Sequence, residues 1–453
     1  MITRTAEIKE LQKLYEEEGS QVVLLYGSSC SGEAQLIGEF CGDKEMFYYH
    51  ARNASEDKQL QMLAEEIRAE YRVEIEEPTF DACFSQLVSK TGAKLVVVLK
   101  DFLAMARRSE TFWKSLFRLK DGKLGGGNVL ILLHTSSLSW VRKEMDEVLG
   151  RNLKKIDLGM GLFDLSFLDL VRTFPGYSVS ESVQTYGIIG GVPAYLERWD
   201  GKRSVKKNVC SLILDPLGIF HEEAERVIKE ELRELSVYDT ILAAMARGHE
   251  KLNDLYEATG FSRAKISVYL KNLAAFDIVE KIVSFDTGGW EHTKKGVYRI
   301  KHHLIDFWFH FIYPHMSDLD RMRPEDFFDV YVEPKLDAYL RRYFVDVCKE
   351  YLLLLNRVGK VPIHIDKIGT WIGKKGTIDV VGRDATRDCV VCLTNWDAPE
   401  MEYARYEQLL SDLDAARIRA RRIYLFSARS FAKELKELEQ KSDMVELVDM
   451  TEL

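Results

Sequence analysis

Gly27 and Gly32 follow the apolar run QVVLLY, enclose the four residues SSCS, and are followed by a helical pattern. That is the spacing of Gly-x-x-x-x-Gly-Lys-Ser/Thr, a loop whose backbone N–H groups wrap a phosphate at a helix N-terminus. In that chemistry the Lys neutralises the phosphates and the hydroxyl holds Mg²⁺. Here Glu33 stands at the Lys position and Ala34 at the hydroxyl position. An anion in place of a cation repels a polyphosphate, and a methyl group ligates no metal. A second apolar run, Leu95 to Leu99, ends in Lys100 and then Asp101. A Walker B strand carries at its end the Asp that supports Mg²⁺, and Lys100 occupies that place. The two altered positions lie close together in a folded phosphate-loop domain. Two readings of them stand. Glu33 and Lys100 form an internal ion pair, with the carboxylate also favoured by the helix N-terminus, or both positions drifted once selection for ATP relaxed. Thr135 and Ser136, ending VLILLHTSS, stand where a polar sensor of the phosphate belongs; a strand-end turn explains them equally well.

The elements that position these residues follow from pattern. Ile8, Leu11, Leu14 and Tyr15 have helical spacing, and three short apolar runs separated by helical stretches predict a parallel sheet covered on both faces. From about residue 213 the pattern turns helical. Three segments split near Gly248 and Gly260, then two strand-like segments around a Gly-Gly turn, give the plan of a winged helix-turn-helix. In its recognition helix Ile266, Tyr269, Leu270, Leu273 and Phe276 are expected in the core. Ser262, Arg263, Lys265 and Lys271 are left for the outer face, with Lys294 and Lys295 in the wing. Such a face suits phosphate contact, although the acidic residues just upstream (Glu222, Glu223, Glu230, Glu231 and Glu234) suit a protein-interaction module as well. A further α/β stretch runs from about residue 326 to the end, with GTIDVV, CVVCL and RIYLF as strands.

At 453 residues the chain is too long for one core. Hydrophobic residues make up 46% and charged residues 30%, and there are only 9 Pro, so the chain is globular rather than disordered. No apolar run is of membrane-spanning length, and the charged opening does not read as a signal peptide. Seven scattered Cys fit a reducing cytoplasm, and Cys389 with Cys392 lacks the second pair of a zinc site, so no metal is expected there. A net charge of −9 requires any nucleic-acid contact to come from a local basic face.

These motifs together resemble a prokaryotic family of AAA-type ATPases with a C-terminal winged helix and a restriction-endonuclease-like, PD-(D/E)XK, domain. TRTAEI is similar to the family's opening, with Arg4 and Glu7 matching; LGR at 149–151 and GGVPAYL at 190–196 match two further signatures. The resemblance implies an α/β AAA-type parallel-sheet domain over 1–210, a winged helix-turn-helix over 211–325 and an α/β nuclease-like domain over 326–453. It implies that Arg151 takes the place of an Arg that faces a neighbour's nucleotide, and that Gly190, Gly191 and Pro193 form a structural turn. In the nuclease core it implies an Asp at a strand end and Glu-x-Lys on the next strand, holding Mg²⁺ and orienting water. Asp379 matches the first Asp, Leu393 and Asn395 stand at the Glu and Lys positions, and Trp396 matches an aromatic. Asp346 is placed near the family's helix acid, and Lys374 and Lys375 precede Asp379 as a basic pair. The expectation is a degenerate ATPase-like and nuclease-like protein serving as a scaffold, with DNA, a protein partner or its own copies, and with no cofactor. The alternative is an enzyme that still binds ATP and Mg²⁺ through backbone contacts, with Asp101 as a displaced metal ligand and Arg151 or Lys100 as the replacing cation.

Overall fold

In the computed structural model all residues are described except 1–3, 28–29, 89–93, 108, 126–127, 233, 288–295, 375 and 452–453. The chain forms two compact units, Met1–Asp164 with Val192–Glu197, and Leu165–Gly191 with Arg198–Leu453. The expected boundaries at 210/211 and 325/326 both fall inside the second unit. One reason is visible in packing. The helix Val179–Ile189 belongs to the second unit because Tyr339 donates its hydroxyl to the Gly187 carbonyl at 3.0 Å, and a Cβ at Gly187 would meet Leu340 at 2.3 Å.

The first unit is a five-stranded parallel sheet of β1 (Gln21–Gly27), β2 (Met46–His50), β3 (Leu95–Lys100), β4 (Val129–Thr135) and β5 (Leu158–Leu162). Their order is β2-β3-β4-β1-β5. Period-2 alternation divides the apolar runs between two cores. Val22, Leu24, Val97, Leu99, Ile131 and Leu133 face one side; Val23, Leu25, Val96, Val98, Leu130 and Leu132 face the other. Strands buried on both faces must read as unbroken apolar runs, and these do.

The second unit holds the helices Leu235–Ala246, Leu252–Thr259 and Arg263–Ala275, followed by the antiparallel pair β6 (Val279–Val283) and β7 (Gly296–Ile300). Its other sheet is mixed, comprising β8 (Lys367–Ile372), β9 (Thr377–Arg383), β10 (Cys389–Asn395), β12 (Ala420–Ser427) and β14 (Val445–Asp449) in the order β14-β12-β10-β9-β8. The short strands β11 (Glu400–Met401) and β13 (Ser430–Phe431) pair apart from it. A 25-residue helix, Glu333–Arg357, packs on β9 and β10. All seven cysteines are free thiols.

Candidate functional site

The first candidate lies at the C-terminal edge of the parallel sheet, where open α/β folds place their ligands. Gly32 adopts φ +78° and caps the helix Glu33–Cys41, so the loop turns into the helix through a conformation that favours Gly. A Cβ on Gly27 would lie 2.5 Å from the Leu162 carbonyl oxygen, which fixes the first glycine of the motif by close approach. Arg4 is buried and donates to the Ser31 carbonyl at 2.7 and 3.2 Å, to the Phe163 carbonyl at 2.6 Å and to Glu7 at 2.9 Å. Its guanidinium therefore secures the loop's own backbone. Pro193 lies against Gly32, 3.1 Å from where a Cβ would stand. Gly191 is fixed by the Leu165 backbone, whose carbonyl oxygen would lie 1.8 Å from a Cβ there, and Gly190 turns with φ +66°.

Glu33 and Lys100 come together. Lys100 Nζ lies 3.0 Å from Glu33 Oε1, with the Glu33 side chain only 8% exposed and that of Lys100 22% exposed. Burial works against the Lys100 ammonium, yet the hydrogen bond and charge of Glu33 outweigh it, aided by Asp101, and raise its pKa above the ordinary lysine value. Asp101 follows in a left-handed conformation, φ +51°, and turns its carboxylate to His50 Nε2 at 2.9 Å. His134 Nδ1 is 3.7 Å from the same carboxylate. Both its ring nitrogens lack a hydrogen-bond partner among the described residues. Burial lowers the His134 pKa against the pull of Glu33 and Asp101. Ala34 is exposed. Thr135 Oγ1 accepts from the Ser137 backbone at 3.1 Å, a strand-end turn. Arg151 is exposed on the 3-10 turn Gly150–Lys155. His50 and His134 were missed by motif reasoning. His134 stood one residue before Thr135 and carried the only signal, whereas His50 ends a strand with no apolar run.

In the second unit Ser262 caps the helix Arg263–Ala275, accepting from Lys265 N. Arg263, Lys265 and Lys271 are exposed along it, while Ile266, Leu270 and Leu273 are buried. Tyr269 and Phe276, expected in the core, are half-buried. Arg263 lies 4.0 Å over the Tyr256 ring and Lys265 4.5 Å over Phe261, so both aliphatic stems are steadied on aromatic faces. Lys294, Lys295 and Lys375 lie outside the described residues, and Lys374 is exposed.

The nuclease-like positions need a correction of register. Gly369 pairs with Val381 and Trp371 with Ile378, so the single residue Thr370 faces both Asp379 and Val380. This bulge turns Asp379 toward the side chain of Thr394, whose backbone N–H and hydroxyl donate to Asp379 Oδ2 at 2.9 and 2.8 Å. Leu393 instead joins the core cluster with Ile378, Val381 and Val391. Asn395 is buried and donates to the Ala398 carbonyl and to Ser427 at 3.0 and 3.1 Å. The residue on β10 that reaches Asp379 is thus Thr394, not Leu393 or Asn395. Asp346 is held by Arg299 at 3.0 Å and does not line the cavity that contains Asp379. Burial raises the Asp379 pKa, opposed by the Thr394 hydrogen bonds and the charges of Arg405 and Arg341.

Residues 308–405 match the model of a family described as archaeal and bacterial proteins of unknown function, DUF234. An uncharacterized protein of Methanocaldococcus jannaschii is 25% identical over 390 residues, covering 84% of this chain and 83% of its own. Among solved structures, a Walker-type ATPase of Pyrococcus abyssi is 15% identical, with 68% of this chain and 96% of that one covered and a TM-score of 0.46. The ORC2 protein of Aeropyrum pernix is 15% identical, with 70% and 94% covered and a TM-score of 0.45. What the sheet order and the layers of helices define is an α/β protein whose first unit is built on a five-stranded parallel sheet. No helix among the described residues is long and apolar enough to cross a membrane.

Proposed function

We propose that this chain is an ATPase-like protein that has lost ATP chemistry and serves as an interaction scaffold, with DNA met by the outer face of the helix Arg263–Ala275. The observation that carries the reading is the 3.0 Å ion pair between Lys100 and Glu33 at the phosphate loop. The residues present do not fit a magnesium-bound triphosphate. A carboxylate stands where the phosphates need a cation, its counter-charge is the lysine standing where the metal needs an Asp, and Ala34 offers no ligand. Arg4, the buried guanidinium beside the loop, is committed to backbone carbonyls. In the second unit Asp379 meets a threonine rather than a second carboxylate, which favours binding over metal-dependent cleavage.

The test is calorimetric titration of the full chain with ATP and Mg²⁺, beside a Glu33→Lys, Ala34→Thr, Lys100→Asp variant. No heat from the wild type and binding by the variant is the expected pair of results; micromolar binding by the wild type would overturn the reading in favour of residual ATP binding. For the DNA face, Arg263→Gln with Lys271→Gln is expected to weaken duplex binding uniformly across sequences and to flatten its salt dependence, by a slope change of about 2. Fluorescence anisotropy against salt measures it.

A further inference from the structure

The second unit contains a cavity of about 760 Å³ that neither the loop nor the recognition helix uses. Its walls come from the turn at 245–250, the segment 310–315, the long helix Glu333–Arg357, and β9 and β10 with Asp397 and Arg405. Most of that lining falls within the segment matched by the family of unknown function. Five cationic side chains reach it: Arg247, Lys335, Arg341, Arg342 and Arg405. The carboxylates are Glu250, Asp379 and Asp397.

Partnering decides what remains for a ligand. Arg341 is taken by Asp397, with Nε 3.2 Å from Oδ1, and Arg342 by the buried Asp306. Asp379 accepts from Thr394. Arg247, Lys335 and Arg405 have no carboxylate within ion-pair distance among the described residues; Arg405 reaches only Asn395 Oδ1 at 3.5 Å. Three cations from three separate segments thus face one cavity without an ion-pair contact among the described residues, although the charge of Arg405 also acts on the Asp379 carboxylate. Around them Met245, Ala246, Pro314, Ala338 and Val345 supply apolar wall, and His310, His315 and Tyr339 supply rings. Cavities of about 300–1,000 Å³ with apolar walls and a few convergent polar groups are the form that holds organic ligands. A bare inorganic anion would leave those walls unfilled, whereas a planar ring carrying a phosphate uses both parts; arginines are suited to grip the phosphate.

We propose that this cavity binds a nucleoside phosphate, presented as a free nucleotide or as the phosphorylated end of a nucleic-acid strand. It is a site separate from the phosphate loop, and binding at the loop would be indifferent to Lys335 and Arg405. The experiment is calorimetric titration of the full chain with AMP, and separately with a short single-stranded oligothymidine that is phosphorylated at its end or is not. Lys335→Gln and Arg405→Gln are the variants. Arg247→Gln, on an exposed side chain, serves where the Arg405 variant fails to fold. Binding of AMP that each variant weakens roughly tenfold, the loss of one charge-assisted contact, is the expected result. Binding confined to the end-phosphorylated oligonucleotide, with the same sensitivity, also supports the proposal and assigns the source to strand ends. No binding at millimolar AMP or oligonucleotide, binding unchanged by the variants, or equal binding of the two oligonucleotides without AMP binding would each overturn it.

Discussion

The phosphate loop of the first unit and the cavity of the second both bring cations and carboxylates to a strand end, and they differ in how those charges are partnered. At the loop one cation meets one carboxylate and the two satisfy each other, Lys100 on Glu33 at 3.0 Å. Of the five cationic side chains at the cavity, Arg341 is taken by Asp397 and Arg342 by the buried Asp306 behind the wall, and Arg247, Lys335 and Arg405 are left over. On the reading proposed above, a loop of ligand-binding shape is closed to phosphate by its own side chains, while the cavity keeps cations that no carboxylate has taken. Counting charged residues would not have separated the two. Pairing does.

The largest expected effect would sharpen the contrast between a charge fully enclosed and one half open. Asp306 is 1% exposed and accepts from Arg342 and, at 2.7 Å, from the Tyr343 hydroxyl. Asp306→Ala leaves the Tyr343 hydroxyl without its buried acceptor and Arg342, half-buried at the cavity wall, without its counter-charge, and is expected to cost about 3 kcal/mol by urea denaturation. A loss below about 1 kcal/mol would mean that water at the open side of the guanidinium replaces the carboxylate and that the second unit's charges are not partnered as described. Next in size is Gly32→Val. It forces a β-branched side chain to φ +78° and toward Pro193 at 3.1 Å, which should cost about 2 kcal/mol and lower the Tm.

A smaller effect with a distinct pH signature comes from Asp379. Its folded-state pKa lies above the ordinary aspartate value of 3.8, chiefly through burial. The folded state therefore holds this proton more tightly than the unfolded one, and the group's contribution to stability is lost as pH rises from 3.8 through the folded value. Asp379→Asn keeps an oxygen to accept from Thr394 and removes the buried charge. It is expected to raise stability at neutral pH, with the gain over wild type fading as pH falls into the acid range; melting curves across pH measure it. The smallest effect is Lys335→Gln, on an exposed side chain, which should stay within about 0.5 kcal/mol of wild-type stability while weakening AMP binding. A large stability loss there would mean that Lys335 is structurally committed, as Lys100 is.

What the sequence made legible follows burial. The interior strands β1, β3, β4 and β10 are buried almost without interruption, and each appears in the sequence as an apolar run. The edge strands β2, β5, β8 and β14 mix buried with open positions and gave no comparable run, because an edge has water on one side. The Glu33–Lys100 pair was legible because a motif fixes both positions in advance. Thr394 was not, since the bulge at Asp379 and Val380 shifts facing by one residue and no periodicity records it. Nor were Arg247, Lys335 and Arg405, which are far apart in sequence and meet only in the cavity.

The measurement that bears most directly on the self-neutralised loop is a double-mutant cycle on Glu33→Gln and Lys100→Met, with stability read by chemical denaturation. The pair is mostly shielded from water. Each single variant is expected to cost about 2 kcal/mol and the double variant little more than either, which leaves a coupling near 2 kcal/mol. Additive losses, with coupling indistinguishable from zero, would show two residues that merely stand near each other, and would contradict the account of a loop neutralised by its own ion pair.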